Sequence, residues 1–120
     1  MVNRKKWNLI VFLGLLSAAA LLLSGCDEPI MQKIQLNDLN NPEITVRVTA
    51  IKWAADNKNP KAIPILVGLL ENEDRSVRFY SIQALKEITG TDNGYNYRSN
   101  ATSRSAAVTR WKEYISKTDE

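Results

Sequence analysis

Residues 59–90 read NPKAIPILVGLLENEDRSVRFYSIQALKEITG. Apolar side chains recur at helical spacing in its first half, at Ile63, Leu66, Val67 and Leu70. Pro60 stands just before them, where a first helical turn tolerates proline because its missing N–H would have no partner. The polar residues 71–74, three of which are acidic, interrupt this pattern, and a second helical pattern runs over 75–89 before Gly90, a typical C-terminal stop. The stretch therefore predicts two helices joined by an acidic turn.

The stretch is the second of two copies. Shifting the chain by 31 positions aligns residues 29–58 with residues 60–89 and produces seven identities, where composition alone predicts about two. The identical pairs are Pro29/Pro60, Ile34/Ile65, Leu39/Leu70, Asn41/Asn72, Val46/Val77, Arg47/Arg78 and Ile51/Ile82. Each copy is therefore predicted to form a helical hairpin. In the first copy, the second helix of the hairpin covers about 42–56.

The second helix of each hairpin is predicted to supply most of the buried side chains. The buried positions are expected at Val77, Ser81, Ala84, Leu85 and Ile88, and at Val46, Ala50, Trp53 and Ala54. The opening helix of the first copy is expected to be the weakest element, because Gln32 and Gln35 stand where the second copy has apolar residues.

The second copy resembles the short bacterial HEAT repeats first noted in phycobilisome lyases. The resemblance is carried by Ala62, Ile63, Pro64, Leu69, Leu70, Glu73, Asp74, Val77, Arg78, Ala84 and Leu85. It implies an all-α fold, a short HEAT-like α-solenoid of about two helical hairpins, with repeats at 29–58 and 59–90 and a C-terminal capping helix.

The remaining C-terminal residues are similar to a tail that often follows such repeats. Asn93-Gly94 is a strong turn signal, and we expect a loop over 91–104 followed by a capping helix over 105–117. Ser103 or Ser105 would cap this helix. Its buried positions are expected at Ala107, Val108, Trp111 and Ile115.

The N-terminus has the features of an export signal. Arg4-Lys5-Lys6 precedes an apolar run over 9–23, which is short for a bilayer span. Leu23-Ser24-Gly25-Cys26 resembles the lipobox of bacterial lipoproteins. That resemblance implies a signal peptide over 1–25, cleavage between Gly25 and Cys26, and a diacylglyceryl group on the Cys26 thiol. An uncleaved signal anchor is the alternative.

The same resemblance predicts the location of the chain. A tether over 26–28 would hold the folded part close to the extracytoplasmic face of the cell membrane. Asp27, next to the lipidated cysteine, resembles the signal that retains enteric lipoproteins on the inner membrane. We expect no metal site and no cofactor. The covalent group that we expect is the acyl lipid on Cys26.

The charge balance argues against a nucleic-acid partner. The 16 Lys and Arg against 13 Asp and Glu give +3, but three of the basic residues lie in the first six positions. From Cys26 onward the basic and acidic residues are equal in number, so the basic face that nucleic-acid binding needs is not expected. The chain has no histidine, which excludes imidazole catalysis, and its single cysteine excludes intramolecular disulfides.

Two sets of residues are candidates for special roles. Arg47 and Arg78 recur at the repeat period, and we expect them to form structural ion pairs with Glu43 and Asp74. The second set, in the turn-rich segment before the last helix, is a candidate partner-binding loop formed by Tyr95, Tyr97 and Arg98. Packing of that loop on its own helices is the alternative.

These features predict a non-enzymatic, membrane-anchored interaction or scaffold module at the cell envelope. Its partner would be an unidentified envelope protein or a second copy of the chain. The alternative is a catalytic or non-catalytic subunit of an envelope enzyme complex. We assign no catalytic residue.

Overall fold

A computed structural model describes residues 33–119. The predictions for the lipobox, the signal peptide and the start of the first repeat fall on residues 1–32 and lie outside the described residues. Within the described part, every regular element is helical. The four α-helices are α1 (Ile44–Asp56), α2 (Ile63–Leu69), α3 (Arg75–Thr89) and α4 (Ala101–Thr118), and 3₁₀ helices cover Leu36–Asn40 and Pro60–Ala62. The all-α prediction is confirmed.

The first repeat pairs a short 3₁₀ helix with α1. At the start of Leu36–Asn40 the Gln35 amide donates to the Asp38 carboxylate at 2.8 Å, and the Asp38 amide donates to the Gln35 carbonyl at 3.0 Å. Leu39 is the buried residue of this helix. This 3₁₀ helix is five residues long, because polar residues fill most of its positions and few apolar side chains are available for packing. It then packs against α1.

The second repeat has stronger end signals. The 3₁₀ helix Pro60–Ala62 leads directly into α2. Asp74 caps α3, because its Oδ1 accepts hydrogen bonds from the amides of Ser76 and Val77 at 2.8 and 3.1 Å. Gly90 ends α3 in the left-handed conformation, with φ at 81° and its amide bonded to the Lys86 carbonyl. The second helix of this repeat therefore has the predicted bounds.

The helices form two layers. The 3₁₀ helix Leu36–Asn40 contacts α2 in one layer, and α1 contacts α3 in the other, while α2 and α3 pack together as a hairpin. This stacking of adjacent hairpins is the short α-solenoid that the sequence predicts. Residues from Ile34 onward belong to one compact unit.

The core follows the predicted stripes of the second helices. Fully or almost fully buried positions on them include Ala50, Ala54, Val77, Ser81, Ala84 and Leu85. Val46, Trp53 and Ile88 are half-buried at the edges of the same stripes. The helical period therefore identified the packing face correctly.

The last helix begins earlier than the sequence predicts. It starts at Ala101 because the side chain of Asn100 accepts a hydrogen bond from the Ser103 amide at 2.9 Å. The expectation that Ser103 or Ser105 caps the helix is therefore wrong, as is the helix start at 105. The loop before it covers 91–100. The predicted buried face is correct at Ala107, Val108 and Trp111, and Ile115 is half-buried.

Helix α4 packs against α2. Tyr114 and Ile115, near its C-terminal end, line a groove together with Ile63, the first residue of α2, and Pro60, in the 3₁₀ helix that precedes it. The C-terminal end of α4 therefore lies beside the start of α2. The segment before α4 passes beside α3, where it forms one edge of the candidate site. Among residues 33–119, no helix is long and apolar enough to span a membrane.

Candidate functional site

The repeated arginines hold the turns within the hairpins. Arg47 Nε donates to the carbonyl of Asn41 at 2.9 Å, and Arg78 Nη1 donates to the carbonyls of Asn72 and Glu73, both at 2.8 Å. Carbonyls at the end of a helix have no partner within the helix, and a guanidinium satisfies them. Asn41 and Asn72 occupy equivalent positions, so both copies use the same arrangement.

This arrangement differs from the predicted ion pairs. The carboxylate of Asp74 accepts the main-chain amides that start α3, and the carboxylate of Glu43 accepts the hydroxyl of Thr45 at 3.1 Å. The hydrogen bonds of the two arginines go to main-chain carbonyls instead. Arg47 and Arg78 therefore have the structural role that was expected, with different partners from those expected.

Arg78 also contacts the loop that precedes α4. Its side chain is only 8% exposed, and Nη2 lies 3.4 Å from the carbonyl of Tyr97. The buried guanidinium thus joins the turn of the second repeat to the loop 91–100.

Tyr95 lies inside the protein and not on a binding surface. It is 5% exposed, and its hydroxyl donates to the Leu70 carbonyl. Burial raises the pKa of the Tyr95 hydroxyl above its ordinary value, and the nearby positive charges of Arg78 and Arg104 oppose that rise. The proposed binding role of Tyr95 is therefore corrected: this residue packs on its own helices, which was the alternative for the loop.

Tyr97 and Arg98 lie at the surface, where they continue a row of aromatic and basic side chains. We call this row the aromatic strip, and its members are Lys52, Tyr80, Phe79, Tyr97 and Arg98. Lys52 lies on α1, Phe79 and Tyr80 lie on α3, and the other two belong to the loop. Three separate segments of the chain therefore build one surface.

Each member of the aromatic strip touches the next. Lys52 Nζ lies 4.6 Å from the centre of the Tyr80 ring, and the Tyr80 and Phe79 rings meet edge to face at 5.1 Å. The Phe79 and Tyr97 rings are also edge to face at 5.0 Å. Arg98 Cζ lies 5.3 Å from the Tyr97 ring, and Arg98 Nε donates to the Tyr97 hydroxyl at 2.8 Å. The strip is thus three aromatic rings between two cations.

Lys52, Tyr80 and Phe79 are members of the strip that the sequence did not predict. The most informative of the three is Phe79. It is half-buried and lies outside the hydrophobic core cluster, whereas Tyr80 and Tyr97 pack against that cluster. The signal was available, because a position two residues after Val77 is turned about 200° around the helix axis from it. A phenylalanine on the face opposite the core stripe indicates a surface role.

An open groove adjoins the strip. Its volume is about 420 Å³, and it lies between α3 and the loop. Its lining includes Ile82, Gln83 and Lys86 from the helix and Asp92, Asn96 and Tyr97 from the loop. Tyr97 belongs to both the groove and the strip, so the two form one continuous surface along α3.

The sequence of residues 35–109 matches the family described as HEAT repeats, and the match covers more than half of the chain. Neither the curated proteins nor the solved structures gave a match to the chain. The two stacked hairpins, the repeated arginine positions and the family match agree. The chain belongs to the HEAT repeat family.

Proposed function

We propose that this chain is a lipid-anchored HEAT-repeat module that binds a protein of the cell envelope through the aromatic strip. HEAT repeats generally mediate protein–protein interaction or scaffolding, and they are generally non-catalytic. The observation that carries the proposal is the position of Phe79, a large apolar side chain that packs between two tyrosines at the surface. Aromatic and arginine side chains are the residue types that dominate binding energy at protein interfaces.

The anchoring part of the proposal rests on the sequence. Leu23-Ser24-Gly25-Cys26 supports lipid attachment at Cys26, and Asp27 supports retention at the inner membrane of a Gram-negative cell. Two or three acyl chains bind a membrane firmly, whereas one binds marginally. An anchor of this kind confines the module to the membrane surface and raises its effective concentration toward a partner in the same membrane.

The anchor can be tested with a matched pair of variants of the full chain. Cys26→Ser removes the acceptor thiol, while Ser24→Ala keeps a small residue in the lipobox. We expect a clickable fatty acid to label the Ser24→Ala protein and the original protein in the membrane fraction. We expect the Cys26→Ser protein to be unlabelled and either released or left as a precursor. Equal labelling and fractionation of all three would refute lipidation.

The interaction can be tested by site-specific photo-crosslinking in cells. A photoreactive residue at Gln83, which is exposed beside the aromatic strip, is compared with one at Lys112, which is exposed on α4. We expect an adduct with an envelope protein from position 83 that Phe79→Ala abolishes. Adducts of equal strength from both positions, or none from position 83, would contradict binding through this surface. An adduct with a second copy of the chain would replace the envelope partner with a homo-oligomer.

A further inference from the structure

We propose that the occupant of the aromatic strip is an extended acidic segment of the partner protein, with carboxylates near its two ends and apolar side chains between them. This inference rests on the proposed function and adds to it the chemistry of the partner. The charges, the spacing and the shape of the strip support it.

The charges of the strip favour a negative partner. Lys52 and Arg98 occupy its two ends, and both are exposed. Two further cations extend the surface along α3, because Arg75 lies one turn before Phe79 and Lys86 lies about two turns after it. The groove also contains Asp92, whose carboxylate accepts the amide of Gly94 at 2.8 Å. Asp92 keeps its negative charge, so the carboxylates of the peptide are expected at the two ends of the strip, beside Lys52 and Arg98, and not beside Asp92.

The spacing of the strip suits an extended peptide. The four steps from Lys52 to Arg98 are each between 4.6 and 5.3 Å. The two cations are thus at most about 20 Å apart, a distance that an extended chain spans in no more than about six residues at 3.3 Å per residue. Carboxylates at the ends of such a segment would meet the cations, while its apolar side chains would cover Phe79 and its neighbouring rings.

The shape of the surface also favours a narrow occupant. The groove beside the strip is open and has a volume of about 420 Å³. It is bounded on one side by α3 and on the other by the loop, which Arg78 and Tyr95 hold to the second repeat. The groove meets the strip at Tyr97, so a narrow extended segment that lies across the strip can place a side chain into the groove.

The test is a selection from a phage-displayed library of random 12-residue peptides on the full chain held in detergent. We expect enrichment of peptides that carry two or more Asp or Glu residues no more than about six positions apart, with aromatic or aliphatic residues between them. Failure to enrich any peptide, or enrichment without an excess of acidic residues, would overturn the proposal. The crosslink from Gln83 would then still report whether the surface binds a protein at all, so the two failures are distinguishable.

The selected peptides are then measured by fluorescence anisotropy on variants of the full chain. We expect Lys52→Gln and Arg98→Gln each to weaken binding about two- to fivefold, and Phe79→Ala to weaken it at least about fivefold. Lys112→Gln removes one exposed cation from α4 and should leave the affinity unchanged. Equal affinities for the Arg98→Gln, Lys52→Gln and Lys112→Gln variants would overturn the proposal. So would Phe79-dependent binding to anionic phospholipid vesicles, because the surface would then recognise a membrane.

Discussion

The hydroxyl of Tyr95 donates a hydrogen bond to the main-chain carbonyl of Leu70, a residue 25 positions earlier in the chain. Leu70 follows directly after α2, where carbonyls lack partners within the helix. Tyr95 supplies that partner from the loop before α4. The contact therefore joins the second repeat to the segment that presents Tyr97 and Arg98.

Removal of this hydroxyl should lower stability. In Tyr95→Phe the ring remains but the buried carbonyl of Leu70 loses its donor, which costs about 1–2 kcal/mol. For a domain of this size, a loss of 1 kcal/mol corresponds to a fall in Tm of about 4–8 °C. Thermal unfolding followed by circular dichroism measures it. Tyr97→Phe is the control, since its hydroxyl bonds to exposed Arg98, and equal Tm values for the two variants would contradict the argument.

Tyr95 also makes the free energy of unfolding depend on pH in the alkaline range. Burial raises the pKa of Tyr95 in the folded state above its unfolded value of 10.0. Above pH 10 the unfolded chain therefore binds fewer protons at this position than the folded chain, and the free energy of unfolding falls as pH rises. The stability that Tyr95 adds is fully present below pH 10 and is lost as pH passes through the folded pKa.

Urea unfolding at pH 9, 10 and 11 tests this sign. We expect the difference in unfolding free energy between the original protein and Tyr95→Phe to shrink as pH rises, because the other titrating groups are common to both proteins. A difference that is constant or grows over this range would show that Tyr95 does not titrate as a buried hydroxyl.

The two repeated arginines should contribute unequally to stability. Arg78 is 8% exposed and donates to the Asn72 and Glu73 carbonyls, while half-buried Arg47 donates to one carbonyl. We expect Arg78→Ala to cost about 2–3 kcal/mol and Arg47→Ala about 1 kcal/mol, measured by urea unfolding. Arg78→Lys should restore little of the loss, because an ammonium cannot reproduce the planar guanidinium. Equal costs at the two positions would contradict this ranking.

Phe79 should contribute little to folding, in keeping with a role in binding. It is half-buried and lies outside the core cluster, so Phe79→Ala is expected to cost no more than about 1 kcal/mol. Leu85 on the same helix is fully buried, and Leu85→Ala should cost about 2–5 kcal/mol. Thermal unfolding of the two variants gives the comparison, and a similar loss for both would place Phe79 in the core.

Much of the fold was predictable because local signals agree with packing. The acidic turn before α3, the stop at Gly90 and the apolar stripe between them predicted the bounds of α3, and the structure shows that Asp74 of that turn is the cap. The resemblance to HEAT repeats then supplied the stacking of the hairpins, which helical periodicity alone does not specify.

The candidate site was less predictable because it depends on contacts between distant segments. Tyr95 is buried against Leu70, which follows directly after α2, and the aromatic strip requires α1, α3 and the loop to meet. The prediction of ion pairs for Arg47 and Arg78 rested on charge alone and left out the unpaired carbonyls of the turns. An accounting of those carbonyls would have identified the observed acceptors.

Two residues, Asn100 and Ser105, are competing candidates for the N-terminal cap of α4, and their contributions to stability can be compared. Asn100 and Ser105 both belong to the residue types that begin helices, so sequence preference alone does not choose between them. In the structure the side chain of Asn100 accepts the Ser103 amide, while Ser105 lies within the helix and is exposed. We expect Asn100→Ala to cost about 0.5–2 kcal/mol and Ser105→Ala to leave the free energy of unfolding unchanged or slightly raised, because alanine has the higher helix propensity. Urea unfolding of the two variants decides, and a larger loss for Ser105→Ala would return the helix start to the position that the sequence predicts.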